Sequence, residues 1–356
     1  MNEVDMLLHR LLKRNQCPSV QYMIFNKAHV IHHFNGGFAD LKNRKSITEH
    51  TTYHAFSVTK TFTATAVLQL AERSLLDIDQ PVVQYFPGFP YHGAITTRHL
   101  LTHTAGIPNP IPLNWIHLPE DDAGFNRNEY FNTLFRRHNR TRFGVNEKFS
   151  YSNLGYVLLG QLIENITGIA YEQYITVNLL QPLGLTSDEL GFSIINNGKH
   201  AKGYHKRLSL SNALLSFFID KQAFMGKAEG KWKPFKDFYV NGTAYGGLIG
   251  SCIAFAVYLQ ELLQHKCKLL SDPYKKMLFT ENQTLDGKKT GMCLSWFCGT
   301  LKGNRYFTHA GGGGGFYCEL RLYTALDMGS IVMFNRTGMT DERFLDQADR
   351  FFINEI

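Results

Sequence analysis

The alternating apolar pattern of β-strands is confined to the two ends of this chain, so a sheet can form only if those ends meet. Residues 20–25 and 30–34 read as two strands around a polar turn at Asn26 and Lys27. Near the other end Cys318, Leu320 and Leu322 alternate with Glu319, Arg321 and Tyr323, the period of a half-buried strand. Residues 328–334 follow as a more fully buried strand. Helical spacing of Val4, Leu7, Leu8, Leu11 and Leu12 opens the chain, and residues 341–353 read as a closing helix. From about 80 to 245 the pattern is helical and loopy, punctuated by prolines 87, 90, 108, 110 and 112. The expected class is therefore α+β: one antiparallel sheet flanked by N- and C-terminal helices, with a mostly helical lobe inserted. Residues 1–356 form a single domain of two lobes, 1–79 plus 245–356 as the α/β lobe and 80–244 as the helical lobe. A ligand site is expected in the cleft between them.

Composition narrows the function classes. Hydrophobic residues make up 44% and charged residues 19%, enough for a packed core and against disorder as the main state. No stretch approaches the roughly 20 apolar residues needed to cross a bilayer. The acidic start Met1-Asn2-Glu3-Val4-Asp5 lacks the order of a secretory signal. The expectation is a cytoplasmic protein, or a periplasmic or secreted one if a leader has been removed. The net charge of +7 equals the local excess of residues 199–236, where nine Lys and Arg face Asp220 and Glu229. No groove-reading element accompanies it, so a solvated segment is expected and nucleic acid is not a partner. Arg136, Arg137, His138, Arg140 and Arg142 have the same reading. Six cysteines show no C-x-x-C spacing, which points to free thiols and no metal site. Cys293 and Cys298, five apart on an expected strand, should face opposite ways.

The chain has no G-x-S-x-G elbow, H-E-x-x-H helix or phosphate loop, and the glycine run 311–315 leads into a strand rather than a helix. Ser57-Val58-Thr59-Lys60 opens an expected helix over residues 57–73, and positions i and i+3 share a face. Lys60 then sits beside the Ser57 hydroxyl, which becomes nucleophilic only when a base takes its proton. A lysine does this if burial or nearby positive charge lowers its pKa. Helix-start N–H groups would favour developing negative charge. With 15 Ser and 21 Lys, about one such spacing arises by chance, so the motif alone is unspecific. Tyr151 could shuttle protons, and Asn153 can both donate and accept. Against this, Ser152 or Asn153 could simply cap a helix over residues 153–165. His309-Ala310-Gly311-Gly312 places glycines where backbone N–H groups can approach a ligand, or where a strand merely bends.

Together these elements resemble the serine β-lactamase and penicillin-binding-protein family, nearest its class C-type enzymes, D-amino-acid-releasing peptidases and family VIII-like esterases. The resemblance rests on five ordered stretches: Phe56 to Ala64, Ile95 to Ile107, Phe149 to Tyr156, Gly246-Gly247-Leu248 with Ser251, and His309 to Phe316. It implies that Ser57 is the acylated nucleophile, Lys60 its base, Tyr151 the paired base and proton shuttle, and Asn153 a substrate-amide contact. It further implies substrate binding at His309, Gly311 and Gly312, with the Ser57 and Gly312 N–H groups as the oxyanion hole, and it calls for no cofactor and no metal.

The chain departs from the family's usual Lys-Thr-Gly, carrying His309-Ala310-Gly311 instead. That removes a charge and a hydroxyl able to hold a substrate carboxylate. It leaves Lys60 as the cation near Tyr151. Members with H-x-G resemble esterases and peptidases more than resistance enzymes. The expected activity is a serine hydrolase forming an acyl-enzyme on an ester or a small peptide or D-amino-acid amide. The alternatives are a β-lactamase, a D-Ala-D-Ala carboxypeptidase, or a catalytically silent binding protein. Partners are a small-molecule or peptide substrate. Residues 208–225, with Leu210, Leu214, Leu215, Phe217, Phe218, Ile219 and Phe224, read either as lobe core or as a lid over the cleft.

Overall fold

A computed structural model describes residues 2–209, 215, 217–337 and 343–354. Among them the elements that position the site are α1 (Glu3–Lys13), β1 (Ser19–Asn26), β2 (Val30–Asp40), β3 (Lys45–Ser46), β4 (Thr52–His54), α2 (Thr59–Glu72), α3 (Asn153–Thr167), β5 (Ile249–Ser251), α4 (Cys252–Leu263), β6 (Phe297–Leu301), β7 (Asn304–Gly313), β8 (Phe316–Tyr323), β9 (Met328–Phe334) and α5 (Phe344–Asp349). The chain ends do meet. The antiparallel sheet runs β6-β7-β8-β9-β1-β2-β3, and its central seam joins Val20 to Phe334 and Tyr22 to Val332. The turn at Asn26 closes β1 on β2 because Asn26 Oδ1 accepts from the backbone N–H groups of Ala28 and His29.

Strand alternation sorts the sheet into two apolar layers. Met23, Phe25, Leu320, Leu322, Ile331 and Met333 face the large core built on α2 and α4. Val20, Tyr22, Ile24, Tyr317, Val332 and Phe334 face a smaller core closed by α1 and α5. Helix α2 is buried from Thr59 to Ala71, so it is a central rod rather than an amphipathic surface helix.

The half-buried reading of β8 was right in period and wrong in environment: every residue of β8 is buried. Its polar side is covered by the terminal elements and internally paired. Arg321 donates to Glu319 Oε1 at 2.9 Å and to Asp346 Oδ1 at 2.7 Å. Asp349, fully buried on α5, accepts from Tyr22 (3.0 Å), Tyr323 (2.9 Å) and Ser330 (2.6 Å). Desolvation raises the Asp349 carboxyl pKa, against the pull of Arg321 and the three hydroxyl donors. The closing helix is shorter than residues 341–353, and residues 341 and 342 lie outside the described set.

Helix α3 starts at its Ser152 N-cap, which accepts from the Gly155 N–H, and stops at Gly168 in the left-handed region (φ 73°). The basic segment 199–236 carries a small hairpin, Tyr204–Lys206 with Trp232–Pro234. Its N–H groups bind the sheet end, Tyr204 N donating to Asn335 O. Its charge is partly matched internally, Lys202 pairing with Asp40 at 2.9 Å. The lid reading of residues 208–225 is not supported among the described residues. Ile219 and Met225 are core, Leu215 and Phe224 pack against it, Leu208 and Phe217 are exposed, and none lines the Ser57 cleft. Leu210 and Leu214 lie outside the described residues.

Removing Asp349 leaves a buried guanidinium short of a counter-ion and three hydroxyls without their acceptor. Asp349→Ala is expected to cost about 3–5 kcal/mol in urea unfolding. A loss under about 1 kcal/mol would show that the network is solvated or dispensable.

Candidate active site

Ser57 lies on a single tight turn, Phe56–Val58, between β4 and α2. The turn begins with Phe56 at φ 46°, a left-handed conformation that costs a non-glycine residue on the order of 1–3 kcal/mol. Neighbouring backbone holds it there. Ala55 N donates to Leu248 O at 2.9 Å, and Leu248 N donates to Thr59 Oγ1 at 3.0 Å. The Gly246-Gly247-Leu248 stretch is therefore the clamp on the turn. Regular helix starts at Thr59, two residues later than the spacing suggested, so Ser57 and Lys60 straddle the junction.

Lys60 is completely buried. Its Nζ reaches Ser57 Oγ (2.9 Å), Asn153 Oδ1 (2.9 Å) and the Tyr245 carbonyl (2.7 Å). The rings of Tyr151, Tyr156 and Tyr245 surround it with centroids 5.1, 5.3 and 5.3 Å away. None of these groups is a carboxylate, and burial holds its pKa well below the usual lysine range. A neutral amine has two hydrogens and one lone pair. The carbonyl of Tyr245 can only accept and Asn153 presents its amide oxygen, so both hydrogens are used there. The lone pair is left facing Ser57 Oγ. The amide of Asn153 is itself fixed, because Asn109 Oδ1 accepts from its N–H (3.0 Å) and its Nδ2 (3.2 Å).

The Tyr151 hydroxyl lies 3.5 Å from His309 Nε2. His309 Nδ1 donates to the Ser295 carbonyl at 2.5 Å, which fixes the tautomer and makes Nε2 the acceptor of the Tyr151 proton. Burial first and Lys60 second lower the His309 pKa to about 3, so the ring is neutral. His103 supports Tyr151 from behind: its ring lies 4.2 Å from the Tyr151 ring, and its Nδ1 accepts from Ser152 N at 3.1 Å. His103 (φ 57°) and Ser295 (φ 70°) share the left-handed backbone of Phe56, so three strained residues support one site.

Strand β7 runs on past the start of β6, which pairs Phe297 with Thr308, so residues 309–313 pair only with β8. Their other edge opens on the cleft. A Cβ at Gly311 would lie 2.1 Å from Ala55 O and 2.6 Å from Ser57 N, so that glycine is what lets β7 touch the Ser57 turn. At Gly312 a Cβ would come no nearer than 3.5 Å to the rest of the protein, so of the two glycines it is Gly311 that packing against the turn requires. The cleft, about 1260 Å³, is lined by Ser57, Phe149, Tyr151, Phe297, His309 to Gly313, Phe316, Tyr317 and, at its rim, Arg343.

The structure thus gathers Ser57, Lys60, Tyr151, Asn153, His309, Gly311 and Gly312 at one cleft. Asn153 has both ends of its amide engaged, with Lys60 and Asn109, rather than pointing free toward a ligand. Tyr245, Asn109, His103 and Ser295 were not among the site residues read from sequence. Tyr245 and Ser295 act through backbone carbonyls, which leave no side-chain signal.

A family model described as Beta-lactamase matches residues 4–354. Protein flp of Staphylococcus aureus (strain N315) is 32% identical over 211 residues, 57% of this chain and 41% of that protein, so the chain matches well under half of that relative's length. The octameric penicillin-binding protein homologue from Pyrococcus abyssi superposes with a TM-score of 0.76 at 24% identity, covering 94% of this chain and 73% of that one. The D-amino acid amidase from Ochrobactrum anthropi SV3, complexed with D-phenylalanine, gives 0.79 at 17% identity, covering 98% and 97%. At these identities the two structures speak for the fold.

The two glycines separate packing from chemistry. Gly311→Ala is expected to lower stability by about 1–3 kcal/mol, while Gly312→Ala should melt within a degree or two of the parent. Equal melting temperatures for the two variants would mean that β7 does not press on the Ser57 turn.

Proposed function

This chain belongs to the beta-lactamase family, and from that premise we propose that it is a serine hydrolase acting on an ester or small amide with an uncharged, apolar acyl group. The observation that carries the reading is the setting of Lys60: a fully buried amine 2.9 Å from Ser57 Oγ, held by Asn153 Oδ1 and the Tyr245 carbonyl with no carboxylate among its partners. In acylation Ser57 Oγ attacks the acyl carbonyl as its proton passes to Lys60 Nζ. The developing oxyanion faces the N–H groups of Ser57 and Gly312, each worth roughly 3 kcal/mol in such a role. Tyr151, held by His309 and His103, hands a proton to the leaving group and later draws one from the attacking water.

Substrate class follows from what surrounds the nucleophile. His309 is buried and neutral where a cation would grip a carboxylate, and the rings of Phe149, Tyr151, Phe297, Phe316 and Tyr317 line the cleft alongside Thr300 and Thr308, with Arg343 at the rim. These favour apolar acyl chains and disfavour β-lactams, whose recognition uses the carboxylate.

Intact-protein mass after brief exposure to p-nitrophenyl butyrate or a phosphonate probe tests the nucleophile: one label is expected on the parent and none on Ser57→Ala. Lys60→Met and Tyr151→Phe should each lower kcat/KM by about 10²–10⁴. Since Lys60 must be neutral, activity should be lost as pH falls through its folded-state pKa, and that acid limb should lie well below 10.5. An acid limb near 10 would sink the assignment of Lys60 as base. Unlabelled, folded parent protein would leave the binding-protein reading in its place.

A further inference from the structure

Cys293 and Cys298 do not face opposite ways. A tight turn intervenes: Cys293 N donates to Trp296 O at 2.6 Å, Cys298 N donates to Gly291 O at 2.9 Å, and Met292 bridges Phe297. In that register 291 opposes 298 and 293 opposes 296, which puts both cysteines on one face as diagonal neighbours. Cys293 is buried, with its Sγ also directed to Phe279 O at 3.4 Å, whereas Cys298 is partly exposed on the sheet-edge strand β6. The residue across from Cys298 is Gly291, and a Cβ there would meet nothing within 4 Å. Cys298 is also among the residues lining the Ser57 cleft, which gives a small molecule an approach to it.

We propose that Cys298 and Cys293 form a thiol–disulfide exchange site, with Cys298 the attacking thiol, Cys293 the resolving thiol, and a low-molecular-weight disulfide as oxidant. Cys298 thiolate attacks one sulfur of the small disulfide, forming a mixed disulfide and releasing one thiolate. Cys293 gives its proton to solvent and attacks Cys298 Sγ, forming the Cys293–Cys298 bond and releasing the second thiolate. The protein loses two electrons and two protons, and the small disulfide is reduced to two thiols. The division of roles follows the local environment. Cys298 is the more exposed sulfur and the one a small disulfide meets first, while Cys293 is buried and its S–H donates to Phe279 O until its neighbour is modified.

The position ties this chemistry to the cleft. The turn between the two cysteines carries Ser295, whose carbonyl holds His309 Nδ1, and Phe297, whose ring stacks on Tyr151 (6.4 Å, 12°) and lies 5.6 Å from His309. Drawing these diagonal neighbours together into a bond pulls on both supports of the Tyr151–His309 pair. This consequence for activity rests on the hydrolase reading; formation of the bond does not.

Trypsin cleavage after Lys289 and Lys302 gives one peptide, residues 290–302, that holds both cysteines and no others. The full chain is incubated with oxidised glutathione, acid-quenched, alkylated and mapped without reductant, while p-nitrophenyl butyrate hydrolysis is followed in parallel. The expected result is a 290–302 peptide lighter by two hydrogens, with Cys17, Cys252 and Cys318 alkylated. Hydrolysis should fall by about tenfold, as sub-ångström misplacement allows, and recover with dithiothreitol. Cys293→Ser should stop at glutathione on Cys298, and Cys298→Ser should leave Cys293 reduced. Glutathione settling on Cys267 with Cys293 and Cys298 both alkylated would overturn the proposal. Disulfide formation with an unchanged rate would overturn its link to the cleft. Disulfide formation in a protein that hydrolyses nothing and takes no phosphonate would support the thiol site and count against the hydrolase reading instead.

Discussion

Everything at the cleft depends on a lysine that is buried without a carboxylate. A charged ammonium in that position would need a compensating anion, and the surroundings of Lys60 supply two carbonyl-type oxygens, one hydroxyl and three aromatic faces. The cheaper state is the neutral amine, and a neutral amine beside a serine hydroxyl is a base. The burial that lowers the Lys60 pKa is provided by α2 itself, which is enclosed along nearly its whole length. Burial along α2 thus favours the neutral amine, and the Tyr245 carbonyl and Asn153 fix its position.

The opposite face of the sheet treats a buried cation the other way. Arg321 is as inaccessible as Lys60, but Glu319, Asp346 and Asp349 surround it and hydroxyls complete the network. Guanidinium stays charged at any ordinary pH and must be matched. The two sites share one sheet and show two solutions to the same desolvation problem. The paired cation anchors α5 to the strands, and the unpaired one is left available to exchange a proton. Three of the left-handed non-glycine residues, Phe56, His103 and Ser295, each hold a group at the cleft.

Much of this was legible before any coordinates. Strand alternation at 20–25 and 318–334 foretold a sheet joining the chain ends, and the S-x-x-K, Y-x-N and H-x-G stretches singled out residues that the fold does bring together. What escaped has identifiable causes. Strand period tells which residues share a face but not what covers that face, so β8 looked half-buried when terminal helices enclose its polar side. The Cys293–Cys298 spacing suggested opposed side chains because a tight turn between them, made by Leu294 and the left-handed Ser295, carries no glycine or proline to announce it. The apolar run near 217 could be read as lobe core or as a lid, because hydrophobicity alone does not give location. Gly311 and Gly312 look alike in sequence, and only the distance to Ala55 O distinguishes them.

The sequence by itself determined the periodicities, the order of the motifs and the chemical types available: one serine with a lysine one turn on, a tyrosine, an asparagine, and a histidine where a cation might have stood. Those follow from local rules, since helix and strand spacing are properties of short segments. Only the tertiary structure decided that Lys60 is buried away from any carboxylate, that the Tyr151 hydroxyl lies beside His309 Nε2, and that Asn153 contacts the lysine. Each of these depends on burial and on backbone carbonyls contributed from Tyr245 and Ser295, far away in the chain. A pKa is set by the surroundings of a group rather than by its neighbours in sequence, and those surroundings exist only once the chain ends have met.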